Sequence, residues 1–173
     1  MKLLKNERLV LRALEPEDLE TLYKWENDTS LWENGTTTAP YSKFTLYEYL
    51  KNYTADIYRD KQLRLMITLN NIGVGTIDLF EFDPFHSRAG IGILIDKNYR
   101  RDKIATESLN LLANYAFGFL HLHQLFAFVP QKNEGSYKLF TNSGYKTCGE
   151  LNDWLRTENG FQSVRVMQLM TPK

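Results

Sequence analysis

Apolar positions recur along this chain with two periods, and the switches between them lay out the elements. Leu9-Val10-Leu11-Arg12 reads as a short strand. Glu15-Pro16-Glu17-Asp18 then opens a helix, because proline is tolerated at the first helical position and acids suit the positive end. Its apolar face is Leu19, Leu22, Tyr23 and Trp25. Residues 30–43 show little periodicity and read as a loop. Leu46, Leu50, Tyr53 and Ile57 return at helical spacing and predict one helix over 44–58. Two strands follow, 63–69 and 74–82, joined by the turn residues Asn70-Asn71-Ile72-Gly73. A third strand, 88–95, leads to a helix over 104–120 whose apolar face is Ala105, Leu109, Leu112, Ala116 and Phe119. Residues 124–129 form another apolar strand, ended by Pro130, and 133–143 a short helix stopped by Gly144. Strands 150–156 and 161–169 flank Glu158-Asn159-Gly160, a hairpin signal.

The count is about seven strands and about four helices, in mixed order. Hairpins dominate at both ends, with one strand–helix–strand crossover between them. The expected fold is therefore α/β of the α+β kind, a mixed and mostly antiparallel sheet with helices on its faces. No repeat, low-complexity tract or linker interrupts it, so residues 1–173 read as one domain with a sizeable core.

Composition narrows the class. Lysine and arginine total 21, as do aspartate and glutamate, and this balance argues against nucleic-acid binding. No apolar stretch approaches the roughly 18 residues that span a bilayer, and the first residues lack a signal peptide's apolar core. A cytoplasmic protein with no membrane partner is expected. The single cysteine, Cys148, excludes an internal disulfide and reads as inert core. His121 and His123 have no acid at matching spacing and read as turn or surface residues, so no metal is expected. Trp25, Trp32, Tyr41, Phe44, Tyr47, Tyr49 and Tyr53 crowd the first two helices and read mostly as packing.

The stretch from Ala89 to Glu107 carries the candidate chemistry. An apolar strand stops at Asp96-Lys97, a basic loop follows, and it opens directly into the long helix. That order brings unpaired backbone N–H groups and a positive helix end to one point, where a phosphate-bearing ligand is the natural occupant. Arg100 and Arg101 would add charge-assisted hydrogen bonds.

Two motifs, with the element order, resemble the GNAT superfamily of acetyl-coenzyme-A-dependent N-acetyltransferases across essentially the whole chain. The family's Gln/Arg-x-x-Gly-x-Gly/Ala signature matches Arg100 to Ala105, and its asparagine-headed helix ending in Gly-Phe or Gly-Tyr matches Asn133 to Gly144-Tyr145. Glu7-Arg8-Leu9-Val10-Leu11-Arg12 and Glu150-Leu151 with Trp154 are similar to the spermidine N-acetyltransferase and ribosomal-protein N-terminal acetyltransferase branch. The resemblance implies acetyl-coenzyme A as co-substrate. Arg100, Arg101, Asp102, Lys103, Ile104, Ala105 and Thr106 would hold its diphosphate. Ile93, Leu94 and Ile95 would pair with its pantetheine arm, and Asn133, Ser136 and Tyr137 would contact it from the other side. It also implies that an amine, from a small molecule or a protein N-terminus, attacks the thioester directly. Trp32, Glu33, Tyr41, Asp83 and His86 are the expected acceptor-site residues, and the resemblance allows a homodimer.

Three positions depart from the family pattern. Lys103 occupies the loop glycine, which tolerates a side chain only where positive φ is not needed. Gly90 stands where many relatives carry a general-base glutamate, leaving Glu81, Asp78 or Asp83 as relays, with Glu81 preferred. Phe140 stands where a tyrosine often protonates the departing thiolate, and Tyr137 is the nearest substitute. Two alternatives stay open: a coenzyme-A-binding module without turnover, motivated by these losses, and a polyamine enzyme specifically. Thr36-Thr37-Thr38-Ala39 is neutral where the spermidine enzymes are acidic.

Overall fold

The computed structural model describes residues 3–34 and 37–172, with only the backbone described at Glu33 and Asn34. The expected contact through the Glu33 side chain, and Thr36 of the neutral stretch 36–39, therefore lie outside the described residues. Seven strands form one sheet: β1 (Leu9–Arg12), β2 (Leu63–Leu69), β3 (Ile72–Asp83), β4 (Arg88–Ile95), β5 (Gln124–Pro130), β6 (Lys146–Thr157) and β7 (Gly160–Met170). Their spatial order is β1-β2-β3-β4-β5-β7-β6. Every neighbouring pair is antiparallel except β4 with β5, which are joined by the crossover helix. Among the described residues five α-helices accompany the sheet: α1 (Leu19–Glu26), α2 (Lys43–Asn52), α3 (Ile57–Asp60), α4 (Ile104–Gly118) and α5 (Glu134–Asn142). None of the described helices is long and apolar enough to cross a membrane.

The sheet's alternation sends side chains to two cores. On one face Ile104, Leu109, Leu112 and Ala116 of α4 pack with Leu65, Ile67, Ile77, Leu79, Ile91, Leu125 and Ala127. On the other, Met66 and Leu94 meet Leu14, Leu22, Trp25, Leu50 and Tyr53. Each fully buried leucine of this kind stabilises the fold by about 2 kcal/mol relative to exposure.

Several expectations need correction. The single helix over 44–58 is two helices, α2 and α3, separated by a turn in which Ala55 adopts φ 55°. Leu50 and Tyr53 serve the second core while Ile57 serves the first, so one straight cylinder could not satisfy both. Asp56 accepts from Tyr58 N and Arg59 N and restarts the chain as α3. The loop over 30–43 contains a 3₁₀ turn at Thr29–Asn34, and Pro16–Asp18 is also 3₁₀, ahead of α1. The turn after β2 needs only Asn70 and Asn71, both at positive φ, the primed geometry that suits a two-residue hairpin. Phe119 caps α4 and is exposed instead of joining its apolar face. Phe44, Tyr47 and Tyr41 are likewise exposed, so the aromatic crowd is only partly packing. Cys148 is exposed on β6, not core.

Candidate active site

β4 and β5 pair only at Arg88↔Gln124, Ala89↔Leu125 and Gly90↔Phe126. Beyond that, β4 continues to Ile95 bonded only to β3, and β5 continues to Pro130 bonded only to β7. The two strands thus diverge toward their C-terminal ends and leave facing edges without ladder partners. Ile93, Leu94 and Ile95 lie on this open half of β4. Such an edge can accept an extended, amide-bearing segment by strand addition.

The loop from β4 to α4 is built from both sides. Asp96 accepts from Asn98 N at 2.9 Å and is held by Trp25 Nε1 at 2.9 Å and Lys24 Nζ at 3.5 Å. The hydrogen bonds from Asn98 N and the Trp25 indole keep its carboxyl below the usual range. Arg100 Nε donates to Ile95 O at 3.1 Å. Arg101 and Lys103 adopt φ 70° and 58°, the left-handed region where glycine is ordinarily found. The lysine therefore occupies the glycine conformation, and the loop keeps the glycine's backbone path in spite of the side chain. Among the described residues Ser42, Asp56 and Asn133 cap α2, α3 and α5, but no side chain caps α4. The N–H groups of Ile104, Ala105 and Thr106 find no acceptor within the described chain, so the positive end of a 15-residue helix is left open.

Across the notch, Asn133 Oδ1 accepts from Ser136 N at 3.0 Å, which commits the oxygen to the cap and leaves the amide nitrogen to donate elsewhere. Tyr137 is half-buried, with the Arg165 guanidinium 4.4 Å above its ring. Phe140 is buried edge-on to Tyr145, with ring centroids 5.0 Å apart.

The sheet face opposite α4 explains the missing glutamate. A Cβ on Gly90 would lie 2.3 Å from the Phe80 ring, so any side chain there would have to displace that ring. Phe80 packs with Phe126 and Phe128 over the point where the strands part. One step further along the open half, a Cβ on Gly92 would lie 3.2 Å from Asp78 Oδ1, which places that carboxylate directly beside the glycine. Burial pushes the Asp78 carboxyl up, against the opposing pull of Arg64 and a hydrogen bond from Gln62. Arg64 itself holds Glu26 at 2.7 Å, and the hydroxyl of Tyr53, pushed up to about 12 by burial, donates to Arg64 O. This polar cluster is half-buried between β2, β3 and the first two helices. The sequence offers Asp78 as a relay, but its Arg64 and Glu26 partners leave no trace beyond a charge that interrupts an otherwise apolar strand.

The expected acceptor residues fall in two places. Trp32 Nε1 donates to Glu26 O at 2.9 Å, beside the residue that pairs with Arg64, while the side-chain amide of Asn27 donates to Tyr41 O and accepts from Tyr41 N. Asp83 and His86 lie at the β3–β4 turn, where Asp83 accepts from His86 N at 3.0 Å and pairs with Arg88 at 3.2 Å. Glu81 adopts φ 48° in the bulge between Phe80 and Asp83 and is exposed, beyond Gly90 from the open notch. It borders a cavity of about 500 Å³ walled by Asp83, Phe126 and Phe128. A second cavity, of about 430 Å³, is bordered by Glu48, Tyr49, Tyr53, Asp60 and Gln62.

A mixed sheet split between β4 and β5, with an open helix start at the head of the split, defines an acyl-coenzyme-A-dependent transferase. The chain belongs to the acetyltransferase (GNAT) domain family, which it matches over residues 8–146. It is an N-acetyltransferase that uses acetyl-coenzyme A to acetylate an amine. Spermidine N(1)-acetyltransferase of Escherichia coli K12 is 28% identical over 141 residues, 82% of this chain and 74% of that protein. The Vibrio cholerae enzyme of the same name is 25% identical over 170 residues, 97% of this chain and 96% of that one. A crystal structure of the Vibrio cholerae enzyme with CoA and spermine matches with TM-score 0.84 at 25% identity, over 95% of this chain and 96% of that one. A dodecameric structure of that spermidine N-acetyltransferase matches with TM-score 0.79 at 26% identity, covering 95% of each chain.

Proposed function

We propose that this chain acetylates a linear di- or polyamine, with its donor gripped between the open start of α4 and the split of the sheet. The observation that carries the reading is the uncapped, left-handed approach to α4 at the head of the unpaired β4 edge. The N–H groups of Ile104, Ala105 and Thr106, with Arg100, Arg101 and the Lys103 backbone, suit a diphosphate. Asp102 enters only through its backbone, since its carboxylate is paired with Arg8. The edge from Ile93 to Ile95 and the Asn133 amide suit the pantetheine amides, with Ser136 and Tyr137 beside them. Acetyl-coenzyme A supplies a thioester carbonyl open to attack.

An alkylammonium, with a pKa of about 10.4, must lose a proton before it can attack. Asp78 is better placed to take it than Glu81, because its strand partner Gly92 lies in the open half of β4 whereas Glu81 lies beyond Gly90. Its raised pKa also brings it nearer to that of the amine, so the transfer is less uphill. Tyr137 is the phenol available to protonate the sulfur, since Phe140 has no proton to give. The cavity bordered by Glu48 and Asp60 supports a second ammonium, and the relatives' names point to the same substrate class.

Thiol release measured with acetyl-coenzyme A and a panel of spermidine, a monoamine, an aminoglycoside and a peptide tests the reading. Turnover highest on spermidine supports it, and preference for the peptide overturns the acceptor. Tight coenzyme A binding with no turnover on any amine would return the module without catalysis. Trp154 and Phe161, exposed on the β6–β7 hairpin, together with a dodecameric relative, support self-association of this chain. A solution mass equal to one 20.3 kDa chain by light scattering would refute that.

A further inference from the structure

The sequence just before β1 reaches into the loop that precedes α4. Arg8 Nη1 pairs with Asp102 Oδ2 at 3.1 Å, and Nη2 donates to the Asp102 main-chain oxygen. The same guanidinium grips Glu107 in the first turn of α4, with Nη2 at 2.9 Å and Nε at 3.2 Å from the carboxylate. Asn6 Nδ2 adds a bond to Glu107 at 2.9 Å, while Asn6 Oδ1 accepts from the backbone N of Arg8 and of Leu9. Leu9 is fully buried, so this assembly is anchored in the core. Between the two gripped residues lie Lys103, at positive φ, and the open N–H groups of the helix start.

Two carboxylates beside an anion-binding helix end would repel a diphosphate and weaken the site they flank. Arg8 offsets both charges with one rigid fork and ties down the carbonyl of the loop's central residue. We propose that Arg8 is a positioning residue for the donor: it ties Asp102 to the first turn of α4, fixing the left-handed Lys103 between them, and draws Asp102 and Glu107 away from the diphosphate. The inference rests on the reading that the diphosphate sits at the start of α4, and Arg8 itself need not touch it.

The test compares two acetyl donors, acetyl-coenzyme A and acetyl-pantetheine, which lacks the diphosphate. Arg8→Ala is expected to raise KM for acetyl-coenzyme A by about tenfold or more, consistent with losing a bidentate charged pair. With acetyl-pantetheine, kcat/KM and the amine KM are expected to stay within about twofold of the parent. Equal loss with both donors, or no change with either, overturns the proposal. If Arg8→Ala does not fold by circular dichroism, Arg8→Lys keeps the charge without the fork. It is then expected to raise KM for acetyl-coenzyme A alone, by about threefold to tenfold, and a change in neither donor or in both overturns the proposal equally. A parent protein that binds no coenzyme A would sink the diphosphate reading itself, a result distinct from any effect of Arg8.

Discussion

Lys103 and Gly90 are two of the three family positions where this chain carries an unexpected residue, and opposite physics explains them. Lys103 holds a glycine conformation at a local cost of about 1–2 kcal/mol. Lys103→Gly would relieve that strain, less the about 0.5–1 kcal/mol that glycine's freer unfolded chain takes back. Thermal unfolding should show a net gain of about 0.5 kcal/mol; a loss of stability would mean the left-handed turn carries no strain. Gly90 is small because Phe80 lies across it. Restoring the family's acid with Gly90→Glu should therefore cost about 1–3 kcal/mol and give no gain in rate. The damage should be coupled to Phe80: in a double-mutant cycle with Phe80→Ala, the coupling energy should reach about 1 kcal/mol or more.

α4 was legible from periodicity because it serves a single core at full length, β4 because it is a short apolar run with a side chain in each core, and the basic loop between them announced an anion site. The α5 cap was legible for the same local reason, since Asn133 satisfies its own helix. The helix over 44–58 was misread because spacing reports that residues are apolar, not which face of the sheet they reach. Leu50 and Ile57 point into different cores, and Asp56 marks the break. Asp56→Ala should cost about 1 kcal/mol in urea unfolding as a cap to α3. Mid-helix, as the periodicity alone implies, the same change would be neutral or slightly stabilising. The Arg8 clamp and the pairing of Arg64 with Glu26 were beyond sequence reading, because their partners lie far apart along the chain and meet only when the fold closes.

Across the whole molecule the carboxylates divide into two groups with opposite responses to pH. Asp18, Asp96 and Glu107 have lowered pKa values. Burial raises Asp18 but the Arg12 pair and the hydrogen bond from Glu15 N together outweigh it, Asp96 gains from Asn98 N and Trp25, and Glu107 gains from Arg8. Their contribution is present above the ordinary carboxylate range and is lost as pH falls through the lowered folded values. Asp78 runs the other way. Its folded pKa is raised by burial, so its contribution is fully present below its unfolded value near 3.8 and is lost as pH rises through the folded value. Above that unfolded value the Asp78 carboxyl thus costs the fold stability, an arrangement expected where the group serves chemistry. Asp78→Asn should raise the unfolding midpoint in urea at pH 7, with the advantage shrinking as the pH is lowered toward 4. The same variant should lose acetyl transfer to an amine while still binding coenzyme A. Stability that falls at pH 7, or full activity in the variant, would show that Asp78 is a structural member of the Arg64 cluster and not the proton acceptor.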